Sequence, residues 1–157
     1  MMRKQVLHCL LLLLAIALLS GCHRKRLDGD ILVESFLYET FGTEMSSERT
    51  FSIVCEEDGV TITQSSGGGQ FVRTAHVVQK IMVRVTDILR EHDVLSWDGY
   101  AKYDPRVLDG TSFTLSIDFG DGTTISAQGT NSYPKGLSAA MREIEDLFDR
   151  FLRESEQ

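Results

Sequence analysis

The segment 97–136 constrains the fold most, because it contains the clearest alternation of apolar and polar residues in the chain. Apolar residues occupy every second position, namely Phe113, Leu115, Ile117 and Phe119, with Thr114, Ser116 and Asp118 between them. This period predicts a strand with one buried and one solvated face. The sequence GDG at 120–122 predicts a turn, after which Ile125 and Ala127 continue the apolar face. The segment therefore predicts a hairpin whose apolar face needs a cover.

Two predicted amphipathic helices supply that cover, at residues 75–92 and 137–152. Apolar residues of the first recur at three- and four-residue steps, at Val78, Ile81, Met82, Val85, Ile88 and Leu89. Those of the second do the same, at Met141, Ile144, Leu147, Phe148 and Phe151. One apolar stripe on an otherwise polar helix is typical of a helix that packs on a sheet.

The rest of the body adds strands. Residues 31–38 fit a strand or a short helix, and their β-favouring composition favours the strand. Residues 50–55 and 60–63 alternate on either side of an Asp-Gly turn and predict a second hairpin. The glycine-rich residues 64–70 predict a flexible connector. The order strand, hairpin, helix, hairpin, helix predicts an α+β domain over residues 30–157, in which two helices pack on one face of an antiparallel sheet of about five strands.

The beginning of the chain carries a targeting signal. Arg3 and Lys4 precede an unbroken apolar run of eleven residues, 9–19, which predicts a secretory signal peptide over residues 1–21. The sequence LSGC at 19–22 matches the lipobox of bacterial lipoproteins residue for residue, so the chain resembles that family. The resemblance implies a diacylglyceryl group on Cys22 and cleavage directly before this residue.

Lipidation implies attachment on the extracytoplasmic side of a bacterial membrane, either the outer membrane or the outer face of the plasma membrane. Two acyl chains suffice for stable anchoring without a transmembrane helix. Residues 22–29 are predicted to form a tether, and no cofactor besides the covalent lipid is expected. The basic residues 23–26 fit equally a segment that lies on lipid headgroups and a solvated spacer.

The net charge and the cysteine content limit the classes of binding partner and the disulfide bonds that the chain can have. Loss of Arg3 and Lys4 with the signal lowers the basic residues from 16 to 14 against 23 acidic ones, so the formal charge falls from −7 to −9. An acidic body disfavours nucleic acid, whose binding depends on phosphate neutralisation. The predicted partners are the membrane, through the lipid, and an envelope protein. Cys55 has no disulfide partner in the body and is predicted to point inward as a small apolar residue.

No motif predicts a metal ion or a catalytic residue. A calcium loop that begins at Asp118 would have Gly129 at the twelfth position, where an EF-hand needs Glu. His76 and His92 lie near the ends of the first predicted helix and are expected to be capping or surface residues. The shared loop region of Asp98, Asp104 and Asp109 leaves a small envelope hydrolase, with paired carboxylates, as the alternative function.

An aromatic group in the same segment predicts a contact surface. Its members are Trp97, Tyr100, Tyr103, Asn131 and Tyr133, which lie in or beside predicted loops. Trp and Tyr with a polar rim are typical of binding surfaces. The competing interpretation is that Trp97 closes the end of the core, with Tyr100 and Tyr133 packed beside it.

The body also resembles an uncharacterised domain of small bacterial lipoproteins and secreted proteins. The sequences that carry this resemblance are WDGY at 97–100, LDGTSF at 108–113, DG at 121–122 and GTN at 129–131, followed by Pro134. It implies a shared fold and no particular activity. The leading hypothesis is a lipid-anchored, non-enzymatic binding module of the cell envelope, and a purely structural spacer is a further possibility.

Overall fold

The structure, a computed structural model, describes residues 31–42, 48–106 and 110–156. The predicted signal peptide, Cys22, the predicted tether and Asp109 lie outside the described residues. The strands are β1 (Val33–Phe41), β2 (Arg49–Glu56), β3 (Gly59–Ser66), β4 (Phe71–Val77), β5 (Tyr100–Tyr103), β6 (Ser112–Phe119) and β7 (Thr124–Thr130). The helices are α1 (Lys80–Glu91), a 3-10 turn (Val94–Trp97) and α2 (Leu137–Ser155).

The seven strands of the described residues form one sheet, in the order β4-β3-β2-β1-β6-β7-β5. Neighbouring strands are antiparallel except β5 and β7, which run parallel with Tyr100 opposite Ala127. Tight hairpins join β2 to β3, β3 to β4 and β6 to β7. The central strand β1 pairs with β6, which lies far along the chain, with Phe36 opposite Ile117. The α+β prediction is confirmed, whereas the prediction of about five antiparallel strands is wrong, because the sheet is mixed and has seven.

One hydrophobic core forms where alternate strand residues meet the apolar stripes of α1 and α2. Its strand members include Phe36, Tyr38, Phe51, Ile53, Ile62, Phe113, Leu115 and Ile117. Its helix members include Ile81, Met82, Val85, Leu89, Ile144, Leu147, Phe148 and Leu152. The period of two in the strands and the period near 3.6 in the helices therefore point most of the predicted residues inward. Val78, predicted in the stripe of the first helix, is an exception, because it precedes α1 and is 66% exposed.

Two strands occupy segments that were predicted otherwise. The predicted connector 64–70 is replaced by the end of β3 and a turn in which Gly67, Gly68 and Gly69 all have positive φ, a conformation glycine adopts without steric cost. This turn folds β4 back on β3, so α1 begins at Lys80 rather than at residue 75. The predicted turn at 97–100 instead leads into β5, which pairs with a strand 27 positions further along the chain.

Two polar side chains also lie elsewhere than predicted. Cys55 is exposed, because it lies near the end of β2, beyond the part of the strand where Phe51 and Ile53 are covered. His76 belongs to β4, opposite Thr61, and is not a helix-end residue. Within the described part of the chain, no helix has both the length and the apolar character needed to cross a bilayer.

Candidate functional site

Trp97, the first of the aromatic residues predicted to form a contact surface, is a core residue. It ends the 3-10 turn, is 0% exposed, and its indole Nε1–H donates to the carbonyl oxygen of Lys135 at 3.0 Å. That hydrogen bond links the segment after α1 to the segment that begins α2. The placement agrees with the interpretation in which Trp97 closes the core, and it leaves the indole no free surface in this conformation.

Tyr100 and Tyr133 flank the buried ring of Phe113 and are half-buried to exposed. The Tyr133 ring stacks on Phe113 with centroids 5.3 Å apart, and the Tyr100 ring lies 6.3 Å from the same ring. The Tyr133 hydroxyl donates to the carbonyl oxygen of Thr111 at 3.1 Å, and the Tyr100 hydroxyl bonds Ser132 Oγ at 2.7 Å. Burial raises the pKa of Tyr133, while its bond to Thr111 lowers it. Both hydroxyls are thus engaged in holding the loop after β7.

Asn131 shapes that loop through its backbone. Its φ of 54° lies in the left-handed region, which Asn tolerates better than most residues. Its N–H donates to the carbonyl oxygen of Thr111 at 3.0 Å. The Asn131 amide also fills the space beside Gly110, where a Cβ would overlap its Oδ1. Asn131 therefore joins the loop to the chain before β6.

Tyr103 lies on the other face of the sheet. It pairs with Thr130 on β7, whereas Tyr100 pairs with the inward Ala127, and side chains alternate between faces along a strand. Its ring is 66% exposed. The five residues thus do not form one surface: Tyr100, Asn131 and Tyr133 support the loop, Trp97 is buried, and Tyr103 alone projects from the opposite face.

The two described aspartates of the alternative hydrolase make structural hydrogen bonds, one to a distant strand and one to a nearby residue. Asp98 Oδ1 accepts the N–H of Ser126 at 3.2 Å. Asp104 accepts from Arg106 Nε at 2.8 Å and Nη2 at 2.7 Å, and these bonds hold the pKa of its carboxyl below its ordinary value. A lowered pKa keeps Asp104 ionised at neutral pH, which is opposite to the need of a general acid.

The sheet face opposite the helices is a surface rich in hydroxyl groups. Its residues are the alternate members of the strands, and none of those described is buried. Across the central rows, the register places Thr74, Thr63, Ser52, Leu37, Ser116 and Ser126 side by side, and Val72, Ser65, Thr50, Glu39, Thr114 and Gln128 beside them. Small hydroxyl side chains make this face flat and hydrogen-bonding.

One corner of this face combines hydroxyls with exposed rings. Phe41 pairs with Ser112, Ser112 with Thr130, and Thr130 with Tyr103, which gives a row across β1, β6, β7 and β5 that we call the aromatic–hydroxyl row. Phe41 is 45% exposed. Three strand spacings separate the backbones of Phe41 and Tyr103 by roughly 14 Å. Between these two residues, Ser112 and Thr130 share a hydrogen bond, with their hydroxyl oxygens 2.8 Å apart.

A shallow depression of about 410 Å³ lies at this corner. Its lining includes Tyr103, Ser112, Thr114, Gln128 and Thr130. Those side chains carry hydroxyl and amide groups and no charge, and they offer both donors and acceptors. The depression can therefore accept a neutral, polar ligand that lies flat on the sheet.

The sequence missed this row for a specific reason. The alternation of Thr114 and Ser116 with apolar residues indicates a polar outer face, and this signal is present in the sequence. Phe41 and Tyr103, however, are neighbours of that face only through the pairing of β1 with β6 and of β5 with β7. The periodicity of apolar residues within one segment does not predict which distant segment it pairs with.

A second group of described residues has the composition of a metal site. Glu56, Asp58 and His76 lie at the opposite end of the strands from the aromatic–hydroxyl row, and their ligand atoms are all within 4.8 Å of one another. The sequence predicts His76 near a helix end, as a capping or surface residue, so no motif indicates a metal ligand there.

A scan against protein-family models and searches of curated proteins and of solved structures found no match to this chain. Both resemblances described from the sequence therefore stay predictions.

Proposed function

We propose that this chain is a lipid-anchored, extracytoplasmic binding module that contacts a neutral glycan of the cell envelope through the aromatic–hydroxyl row. The lipobox at residues 19–22 supports the anchor, and the row supports the ligand class. The single observation that carries the ligand class is the placement of two exposed rings, Phe41 and Tyr103, on either side of paired hydroxyls.

The chemistry of the row fits sugars better than it fits charged ligands. A pyranose ring presents C–H groups that pack on aromatic faces and hydroxyls that exchange hydrogen bonds with Ser, Thr and Gln. The lining of the depression supplies both kinds of contact through Tyr103, Ser112 and Gln128, and Lys102 is its charged member. Lys102 belongs to the other face by alternation, and its Nζ lies 5.2 Å from the Tyr100 ring centroid.

The size of the depression also fits this class of ligand. Pockets for small ligands measure roughly 300–1,000 Å³, and about 410 Å³ lies at the lower end of that range. Because the depression is open along the sheet, a longer chain can continue across the hydroxyl-rich rows. An envelope polysaccharide is such a chain, and a domain tethered at Cys22 would meet it directly.

The test uses the full-length lipidated protein in detergent and purified peptidoglycan sacculi as the probe. Tyr103→Ala and Phe41→Ala should each weaken co-sedimentation by about tenfold, because truncation of an aromatic anchor in an interface costs more than about 1 kcal/mol. Phe71→Ala is the matched control, because Phe71 is 69% exposed on β4 and lies outside the row. Absence of sedimentation by the unmodified protein, or equal loss in the control, would contradict the glycan proposal.

A further inference from the structure

Three potential metal ligands converge where the β2–β3 hairpin meets β4. Glu56 ends β2, Asp58 lies in the turn, and His76 is on β4 next to Thr61 of β3. His76 Nδ1 is 3.7 Å from Glu56 Oε2, and His76 Nε2 is 3.9 Å from Asp58 Oδ1. The imidazole therefore lies between two carboxylates that come from different parts of the hairpin.

The hairpin holds the imidazole in that position. An ideal Cβ on Gly59 would lie 2.4 Å from His76 Nε2, so the ring rests directly against the Gly59 backbone. The Thr61 hydroxyl donates to Glu56 Oε2 at 3.0 Å and lies 3.5 Å from His76 Nδ1. A glycine that makes room for the ring and a hydroxyl that orients a carboxylate give the group a defined geometry on a regular hairpin.

The local charge favours a cation. Glu56, Glu57 and Asp58 are consecutive acidic residues, and the ion pairs of Glu56 and Asp58 among the described residues are both with His76. A neutral imidazole leaves their mutual repulsion uncompensated. A bound divalent ion would offset this repulsion and would use the imidazole as a ligand at the same time.

The distances are compatible with coordination after small side-chain rotations. Ligand atoms that lie 2.0–2.2 Å from a tetrahedral zinc ion are about 3.4 Å from one another. The imidazole presents one nitrogen to an ion, and the three ligand atoms lie within 4.8 Å of one another. Because the three side chains are exposed, rotations can close the remaining gaps, which are at most about 1.4 Å. The depression beside them, about 470 Å³ and lined by Gly59 and Val77 among others, gives an ion access from solvent.

We propose that Glu56, Asp58 and His76 form a surface site for a divalent transition metal of the Zn²⁺ type. The imidazole favours such an ion over Ca²⁺ and Mg²⁺, which prefer all-oxygen ligands. Three protein ligands leave a coordination position for water or for a group of a partner. Exposure on the open face makes the ion exchangeable, so the site would respond to the zinc concentration outside the cell membrane rather than hold the fold together.

The test is isothermal titration of the full-length protein in detergent with Zn²⁺ alone and with Ca²⁺ alone. One Zn²⁺ per chain should bind, and His76→Gln and Asp58→Asn should each weaken binding at least about tenfold, since even second-shell changes cost this much. Gly59→Ala should weaken it too, because the methyl group displaces the imidazole. Ca²⁺ should not compete with Zn²⁺.

Two control variants separate this site from other ligands in the chain. His92→Gln removes a histidine that pairs with a single carboxylate, Glu143, at 2.9 Å, and should leave Zn²⁺ binding unchanged. Cys55→Ser removes a thiol that lies on the other face from Glu56 by alternation, and it should also have no effect. The proposal is overturned if Zn²⁺ does not bind, if His76→Gln and Asp58→Asn bind it as the unmodified protein does, or if either control abolishes binding.

Discussion

Tyr38 shows how the core changes the chemistry of one side chain. It lies on β1, is buried, and its ring is 6.4 Å from Phe51 and 6.3 Å from Phe113. Burial, together with the negative charges that Tyr133 and Glu145 can carry, raises the pKa of Tyr38 from 10.0 to about 12. The folded protein therefore keeps the Tyr38 proton at a pH at which the unfolded chain has already lost it.

This shift predicts a loss of stability in alkali. A pKa that is higher in the folded state stabilises the fold fully below pH 10, and the contribution disappears as the pH rises to about 12. The free energy of unfolding should therefore fall by about 2–3 kcal/mol more in the unmodified protein than in Tyr38→Phe over this range. Urea unfolding at pH 9, 10, 11 and 12 measures it. The exposed Tyr103→Phe should behave as the unmodified protein does, and an equal change in both variants would contradict the assignment.

At the scale of elements, one hydroxyl joins α1 to the sheet. Thr86 is the buried polar residue of the described core. Its Oγ1 donates to the carbonyl oxygen of Met82 at 2.7 Å and accepts the N–H of Val33 at 2.9 Å. Val33 begins β1 at a register shift opposite β6, so its N–H has a side-chain partner where the ladder is irregular. Through Thr86, the helix thereby supplies an acceptor for the Val33 N–H, which the sheet leaves without a partner.

Replacement of this hydroxyl by a methyl group should be costly despite the similar shape. Thr86→Val leaves the buried N–H of Val33 without an acceptor, which costs about 1–3 kcal/mol in the free energy of unfolding. Thr86→Ser keeps the hydroxyl and removes one methyl group, so it should retain the hydrogen bond and lose roughly 1 kcal/mol of packing. Denaturant unfolding, with hydrogen exchange at the Val33 amide, distinguishes the two. Faster exchange in Thr86→Ser than in Thr86→Val would contradict the role of the hydroxyl.

At the scale of the whole molecule, the domain has two unlike faces. The helices cover one face of the seven-stranded sheet, and the hydroxyl-rich face opposite carries both proposed sites at opposite ends of the strands. The predicted mature chain, residues 22–157, has a formal charge of −9, which disfavours attachment to an anionic membrane by charge alone. Membrane attachment is therefore expected to depend on the lipid at Cys22.

That dependence predicts the outcome of cell fractionation. Cys22→Ala should move the protein from the carbonate-washed membrane fraction to the soluble fraction, because two acyl chains supply the binding energy. Cys55→Ala is the matched control, since it removes another cysteine, an exposed one on β2, and should stay membrane-bound. Recovery of Cys22→Ala in washed membranes would contradict the lipoprotein assignment and leave the glycan and zinc proposals to their own tests.

Local periods determined much of the fold. The alternation of apolar and polar residues predicts the strand Ser112–Phe119, and the Asp-Gly turn predicts the hairpin of β2 and β3. The apolar stripe predicts the helix Leu137–Ser155. Each of these patterns lies within one segment. The location of the lipid anchor is likewise a prediction from a local motif. Such features need no partner from elsewhere in the chain, so the sequence alone can state them.

Only the tertiary structure determined which strands pair and which side chains become neighbours. Residues 75–77, predicted to begin the first helix, instead form the end of β4, which pairs with β3. Residues 100–103 form β5, which pairs in parallel with β7. The same pairings placed Phe41 beside Ser112, Tyr103 beside Thr130, and His76 between Glu56 and Asp58. Both proposed sites are products of register between distant segments, which is fixed by the packing of the whole sheet on its helices.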